Sequence, residues 1–169
     1  MMNTTLIVGI IAALVAVGGY TITSATNRIE RRSKIYAEAI LALIRFQELP
    51  YRIRRRPDST SETRAALYQR IRDTQETLSY YVVLLWLDSP RVGKAFDELT
   101  KATRRIGLQY RREAWTAPPA TKDEDMNLAI SYKYESELGL EKCTALMQRE
   151  LSMLRITFPQ VGRSLKNQP

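Results

Sequence analysis

The sequence lacks histidine altogether and has a single cysteine, Cys143, in 169 residues. Histidine is the usual general base, the commonest metal ligand and the usual partner of a serine or cysteine nucleophile. A di-metal site in a helical bundle would need paired Glu-x-x-His motifs, which this chain cannot supply. The lone thiol forms no internal disulfide, and its helical spacing among apolar residues favours a small core side chain.

Other signatures of enzymes are also missing. No glycine-rich phosphate loop follows a strand, and no segment has the alternation typical of a strand. Three glutamates, Glu135, Glu137 and Glu141, lie close in sequence, but on a helix of this composition they are typical of a solvated face. We therefore predict that the protein is not an enzyme and has no catalytic residues, cofactor or metal site.

Positive charge, in contrast, is abundant and unevenly distributed. The net charge is +8, and residues 28–57 alone carry nine basic and three acidic side chains. A second basic excess falls in residues 89–115. The length allows one domain plus a short anchor, and a domain of about 145 residues folds without a metal or disulfide.

The longest apolar run lies near the N-terminus. Residues 6–22 contain no charged side chain and would span about 25 Å as a helix, which is short for a hydrocarbon layer of about 30 Å. A basic flank follows directly, of the kind that stays on the cytoplasmic side: Arg28, Arg31, Arg32 and Lys34. We predict that residues 1–24 are a transmembrane anchor crossing the cell membrane once, with the N-terminus outside and the C-terminal domain cytoplasmic.

Two further features of this run bear on processing and assembly. Residues 23–25 (Thr-Ser-Ala) resemble a weak signal-peptide cleavage site, so removal of the segment stays an alternative, although no basic residue precedes the run. Small residues recur four apart, as at Gly9 and Ala13, a spacing that lets two membrane helices approach closely. Homo-oligomerisation is therefore one possible form of partnership.

After the anchor, the apolar spacing is helical throughout. The first helix is expected to continue to Leu49, because Pro50 disfavours helix in the residue before it. Residues 54–58 then form a loop, and a Ser59–Glu62 capping box opens a second helix. This helix has the most regular stripe in the chain, with residues alternately four and three apart: Leu67, Ile71, Thr74, Leu78, Tyr81 and Leu85.

Two more helices complete the pattern. Ser89 followed by Pro90 restarts a helix at once, and that helix is expected to end near Trp115. A capping box of Thr121 and Glu124 predicts a fourth helix reaching Phe158, with Met126, Ile130, Leu138 and Met147 on its apolar side. We predict an all-α fold, in which the transmembrane helix continues into an up-down-up-down four-helix bundle over residues 25–158, followed by a flexible tail at 159–169.

This topology predicts where two unusual segments lie. Residues 80–87 are apolar all round and fall at the membrane-proximal end of the bundle. They are expected to be buried in the core, with contact to the lipid interface or to a partner helix as alternatives. Trp86 therefore joins Arg28, Arg31, Arg32 and Lys34 as a membrane-interface candidate.

The opposite end of the bundle is expected to gather arginines. The first loop and the end of the third helix would meet there, bringing together Arg52, Arg54, Arg55, Arg56, Arg111, Arg112 and Trp115. Such a tip can dock an acidic protein surface or bind an anionic ligand such as nucleic acid, or it can be a solvated loop. We predict a membrane-tethered helical scaffold or adaptor that binds a protein partner through its bundle surface, with a nucleic-acid-binding module as the alternative. Because like charges repel, changing Arg54, Arg55 and Arg56 to serine is expected to leave the melting temperature unchanged or slightly raised.

Overall fold

The computed structural model describes residues 2–125, 131–134 and 136–157, and it describes only the backbone of residues 2–18, 21, 22, 25, 123 and 153–157. Over these ranges the chain is all-helical, without a strand, which confirms the predicted fold class of a helical bundle. The helices are α1 (Met2–Gln47), α2 (Leu49–Arg54), α3 (Ser61–Asp88), α4 (Pro90–Thr116) and α5 (Glu137–Thr157), with a short 3₁₀ turn at Asp123–Asp125.

No helix within the searched, described part of the chain is long and apolar enough to cross a membrane. The predicted anchor depends on residues 6–22, and most of their side chains lie outside the described ones. The anchor therefore stays a prediction. The tail at 159–169 also lies outside the described residues.

The chain divides into two compact units, one formed by residues 35–147 and the other by residues 1–34 together with 148–169. In the second unit, Ile29 and Arg32 are buried. A guanidinium nitrogen of Arg32 lies 3.9 Å from a carboxylate oxygen of Glu150. An ion pair therefore joins α1 to α5 within this unit.

The unit of residues 35–147 contains the bundle core. Within this unit, Tyr36 of α1 donates a hydrogen bond of 2.9 Å to Asp88 at the end of α3. Two residues later in α1, Glu38 accepts a hydrogen bond of 2.9 Å from Tyr81, which lies two turns earlier in α3. These two contacts show that α1 and α3 are antiparallel here.

Helix α3 confirms the predicted stripe. Leu78 and Leu85 are fully buried, and the other four stripe residues are partly buried. The N-cap is Thr60, one residue later than predicted, and its hydroxyl accepts a hydrogen bond from the Thr63 backbone N–H at 3.3 Å. Asp58 supports this cap by accepting hydrogen bonds from the Thr60 backbone and hydroxyl.

Helices α3 and α4 form a tight hairpin with only Ser89 between them. A Cβ atom at Gly93 would lie 2.6 Å from the Trp86 Cα, closer than real contacts allow. Gly93 therefore permits the two backbones to approach directly after the turn. On the buried side of α4 lie Val92, Phe96 and Leu99, as the apolar spacing predicts.

The prediction for the fourth helix was wrong in its first half. Helix α5 begins at Glu137, and residues 131–134 are not helical. The carboxylate of Asp125 accepts hydrogen bonds from the backbone N–H groups of Thr121 and Lys122, at 2.9 and 3.0 Å. These bonds close a short local turn in which Asp125, instead of Thr121, supplies the acceptor.

Within α5 the predicted apolar side is only partly correct. Met147 is buried, whereas Leu138 is 80% exposed. The predicted core residues Met126 and Ile130 lie outside the described residues. Gly139 brings α5 close to α4, because a Cβ atom there would lie 3.0 Å from a methyl carbon of Leu99.

Candidate functional site

The basic tip predicted from the sequence contains one arginine that the fold uses internally. Arg56 is 5% exposed, and its guanidinium donates to backbone carbonyl oxygens at the ends of two helices. The acceptors are Ile53 at 3.1 Å, Ala114 at 3.2 Å, Trp115 at 3.4 Å and Ala117 at 2.6 Å. Helix ends leave carbonyl groups without intrahelical partners, and Arg56 satisfies them. It is therefore a structural residue and leaves the set of binding candidates.

Arg56 also brings the two predicted halves of the tip together. Its guanidinium carbon lies 5.4 Å from the ring centre of Trp115, and its own carbonyl accepts a 2.9 Å hydrogen bond from Ala120. The loop after α2 and the end of α4 are thus adjacent, although they are about sixty residues apart in sequence. The juxtaposition of these two segments follows the predicted topology.

The other arginines of the first loop have different environments. Arg52 and Arg55 are exposed, and Arg54 is partly buried. Arg55 lies over the ring of Tyr51, with 5.8 Å between its guanidinium carbon and the ring centre. None of the three forms an ion pair with any residue that the structure describes. Two of them, Arg52 and Arg55, present positive charge to solvent.

The α4 arginines divide in the same way. Arg112 is exposed, whereas Arg111 is half-buried, with its guanidinium carbon 5.1 Å from the ring centre of Phe46. Burial lowers the pKa of the Arg111 guanidinium, and the nearby positive charge of Arg104 lowers it further. One Arg111 guanidinium nitrogen, Nη1, is buried without a hydrogen-bond partner among the described residues. Its cationic charge is therefore incompletely compensated.

A cluster of tyrosines, which the sequence did not reveal, holds residues 131–134 against α2 and α4. The rings of Tyr51 and Tyr110 lie 4.8 and 5.0 Å from the ring of Tyr132, measured between centres. The Tyr51 hydroxyl accepts a hydrogen bond from the Tyr132 backbone, and the Tyr110 hydroxyl donates one to the Lys133 carbonyl. Tyr134 packs edge-on against Tyr110, and burial raises its pKa.

The membrane-interface candidates near the predicted anchor are mostly accessible. Arg28, Arg31 and Lys34 are exposed. Arg32 is buried and paired with Glu150, so it differs from its neighbours. Trp86 of α3 is 41% exposed.

The apolar run at residues 80–87 was expected to be buried, and that prediction was wrong for one face. Leu85 is fully buried, but Tyr80, Val83 and Leu87 are 59%, 58% and 80% exposed. These three residues are three and four apart and therefore share one side of α3. The end of α3 buries one side against the bundle and presents an apolar side to solvent.

In the described part of the chain, no three or more His, Cys, Asp or Glu residues lie together in a way that could hold a metal ion. Cys143 is fully buried, and desolvation raises the pKa of its thiol to about 11. A thiol in this state is a poor nucleophile, because only the thiolate reacts readily.

Comparison of the chain with known protein families, with curated proteins and with solved structures gives no match.

Proposed function

We propose that the chain is a membrane-tethered helical scaffold or adaptor that binds a protein partner through the surface of its bundle. In this proposal residues 1–24 cross the membrane once, and the bundle continues from them in an up-down-up-down arrangement on the cytoplasmic side. The uncharged run at residues 6–22 and the exposed positive charges of Arg28, Arg31 and Lys34 support the tether and its direction.

The observation that carries the partner-binding proposal is the pair of exposed arginines Arg52 and Arg55. They project from the end of the bundle without ion pairs to the described residues, close to the end of α4 that carries Arg112. Exposed charges of one sign contribute little to stability, but they steer and orient an oppositely charged partner. An acidic protein surface is the complementary partner.

The alternative is an anionic ligand such as nucleic acid. Proteins that bind single strands without sequence preference usually stack the bases on accessible aromatic rings. Two of the rings beside the arginine loop have partners within the chain: Tyr51 packs against Tyr132, and Trp115 lies beneath Arg56. The packing of these rings favours a protein partner over nucleic acid at the tip.

Co-purification with charge-matched variants tests the proposal. The full-length chain, extracted in neutral detergent after crosslinking in cells, is compared with a variant carrying Arg52→Ser and Arg55→Ser. The control carries Arg91→Ser and Lys94→Ser, two exposed residues near the start of α4. A specific protein that is retained by the control and lost from the tip variant supports the adaptor. Equal retention by both variants contradicts a partner site at the tip, and release of nucleic acid with a steep salt dependence supports the alternative.

A further inference from the structure

A long groove lies between α3 and α4 on the surface of the bundle. It consists of two adjoining depressions of about 540 and 760 Å³ that share Arg72 and Gln75 of α3. From Tyr68 at one end to Val83 at the other, the α3 side covers sixteen residues, or about 22 Å along the helix axis. The groove is therefore as long as a helix of about fifteen residues.

The charge of this groove is strongly positive. Its walls contain four arginines and one acidic residue: Arg72, Arg104, Arg111, Arg112 and Glu76. Glu76 is already paired with Arg72 at 3.1 Å. Arg104 and Arg111 each have one buried guanidinium nitrogen without a hydrogen-bond partner among the residues described. The residues that line the groove therefore carry a net charge of +3, and the Arg72–Glu76 pair among them is solvent-exposed and weak.

The same groove exposes apolar side chains along its length. Tyr68, Tyr80 and Val83 of α3 are 68%, 59% and 58% exposed, and Leu108 of α4 is 45% exposed. Residues 68, 72, 76, 80, 83 and 87 recur at three and four residues, so apolar and charged groups share one stripe of α3. A row of exposed apolar groups along a groove is typical of surfaces that accept a helix.

We infer that the α3–α4 groove binds an acidic amphipathic helix of a partner protein, about fifteen residues long. The apolar side of that helix covers Tyr80, Val83 and Leu108, and its carboxylates face Arg72 and Arg112. This inference rests on the proposed adaptor function and specifies the binding surface and the chemistry of the partner. Charge complementarity selects the occupant, because a second copy of this groove would bring like charges together and a purely apolar helix would leave the arginines unpaired.

A designed peptide provides the probe. It is a blocked sixteen-residue helix with leucines on one side and glutamates flanking them, labelled for fluorescence anisotropy. One control peptide has lysine in place of each glutamate, and another has the same composition with the leucine spacing scrambled. Each peptide is titrated with the purified full-length chain in neutral detergent.

Two variants test the groove itself. The charge variant carries Arg72→Ala and Arg112→Ala, and the apolar variant carries Tyr80→Ser and Val83→Ser, all at exposed positions. The matched control, Arg91→Ala with Lys94→Ala, loses the same charge at exposed α4 positions that line neither depression. Helical circular dichroism and thermal unfolding verify that each variant is folded.

The expected result is tighter binding of the acidic amphipathic peptide than of either control peptide. Each groove variant should weaken binding about tenfold, as loss of central interface contacts does, and the matched control should change it by less than about twofold. Equal binding by groove variants and control, or binding of the scrambled peptide with the same affinity, overturns the inference. Preferential binding of a single-stranded oligonucleotide at the groove also overturns it and favours an anionic ligand.

The outcomes separate this inference from the proposed function. In one outcome the peptide fails to bind, but capture of a protein still requires Arg52 and Arg55. The adaptor function is then supported, and the groove is not its helix-binding surface. In the other outcome the peptide binds the groove, but capture of a protein does not require those two arginines. The groove is then supported as a helix-binding surface, and the tip is not a partner site.

Discussion

Arg56 is one of three consecutive arginines, yet the fold gives it an environment unlike that of Arg55. Its guanidinium satisfies four carbonyl groups at the ends of α2 and α4, whereas Arg55 is exposed. Three identical residues in a row give no sequence signal that distinguishes the buried one. The expectation that all three can be neutralised without a change in melting temperature is therefore revised for Arg56.

Replacing Arg56 with alanine is expected to lower the free energy of unfolding by about 2–4 kcal/mol, because it leaves several buried carbonyls without donors. Arg55→Ala should change the free energy by less than about 0.5 kcal/mol, as exposed substitutions usually do. Denaturant unfolding followed by circular dichroism measures both. Equal effects of the two substitutions would mean that Arg56 does not hold the helix ends together.

Cys143 supports a second prediction at the residue scale, since its side chain is fully buried and its thiol pKa is raised to about 11. At pH 8 the folded thiol stays protonated and inaccessible, so alkylation by iodoacetamide should occur only as fast as the chain opens. Rapid labelling of the folded chain would contradict the burial.

The sign of the pH effect follows from the same pKa. The unfolded thiol ionises near its ordinary value of 9.0, below the folded pKa of about 11. The contribution of Cys143 to stability is therefore complete below the unfolded pKa, and it is lost as the pH rises towards the folded pKa. Cys143→Ala should remove this part of the alkaline destabilisation in a comparison of unfolding curves over that range.

At the scale of the helices, α3 provides the clearest test of side-chain facing. Leu78 is fully buried in the middle of its stripe, while Glu76 is exposed and paired with Arg72. Leu78→Ala should destabilise the chain by about 2–5 kcal/mol, and Glu76→Ala by less than about 0.5 kcal/mol. Chemical denaturation of the two variants gives the comparison. Similar losses would show that the assigned side of α3 does not face the core.

The helices that the sequence predicts well are those with regular apolar spacing and clear ends. Helix α3 has both, and α4 begins at Pro90 after Ser89 as expected. The early start predicted for the fourth helix failed because a capping pattern at Thr121 is local, whereas the Tyr51, Tyr110 and Tyr132 contacts join distant segments. Tertiary packing of aromatic rings overrides a local helix signal.

The candidate site also has features that the sequence predicts and features that it does not. The approach of the first loop to the end of α4 followed from the order and length of the helices. The burial of Arg56 and the continuous groove from Tyr68 to Val83 did not, because both depend on how α2, α3 and α4 pack side by side. Periodicity places residues on a side of a helix, but it does not show which sides of neighbouring helices remain uncovered.

For the whole molecule, we propose that one N-terminal span tethers the bundle to the cytoplasmic side of a membrane. The proposed orientation rests on the basic flank, of which Arg28, Arg31 and Lys34 are exposed. Replacing these three with neutral residues should therefore produce mixed orientations, because positive charge beside a span is the main determinant of its direction. Arg32 is kept in that variant, since it is buried and paired with Glu150.

A reporter fused after Pro169 tests the proposed tether and its direction. One version carries a fluorescent protein that matures in the cytoplasm, and the other carries a phosphatase that is active only outside it. We expect the fluorescent fusion protein to stay in the membrane fraction after alkaline extraction, and the phosphatase fusion to show no activity. Phosphatase activity, or fluorescence released as soluble protein, would contradict the tether and its direction.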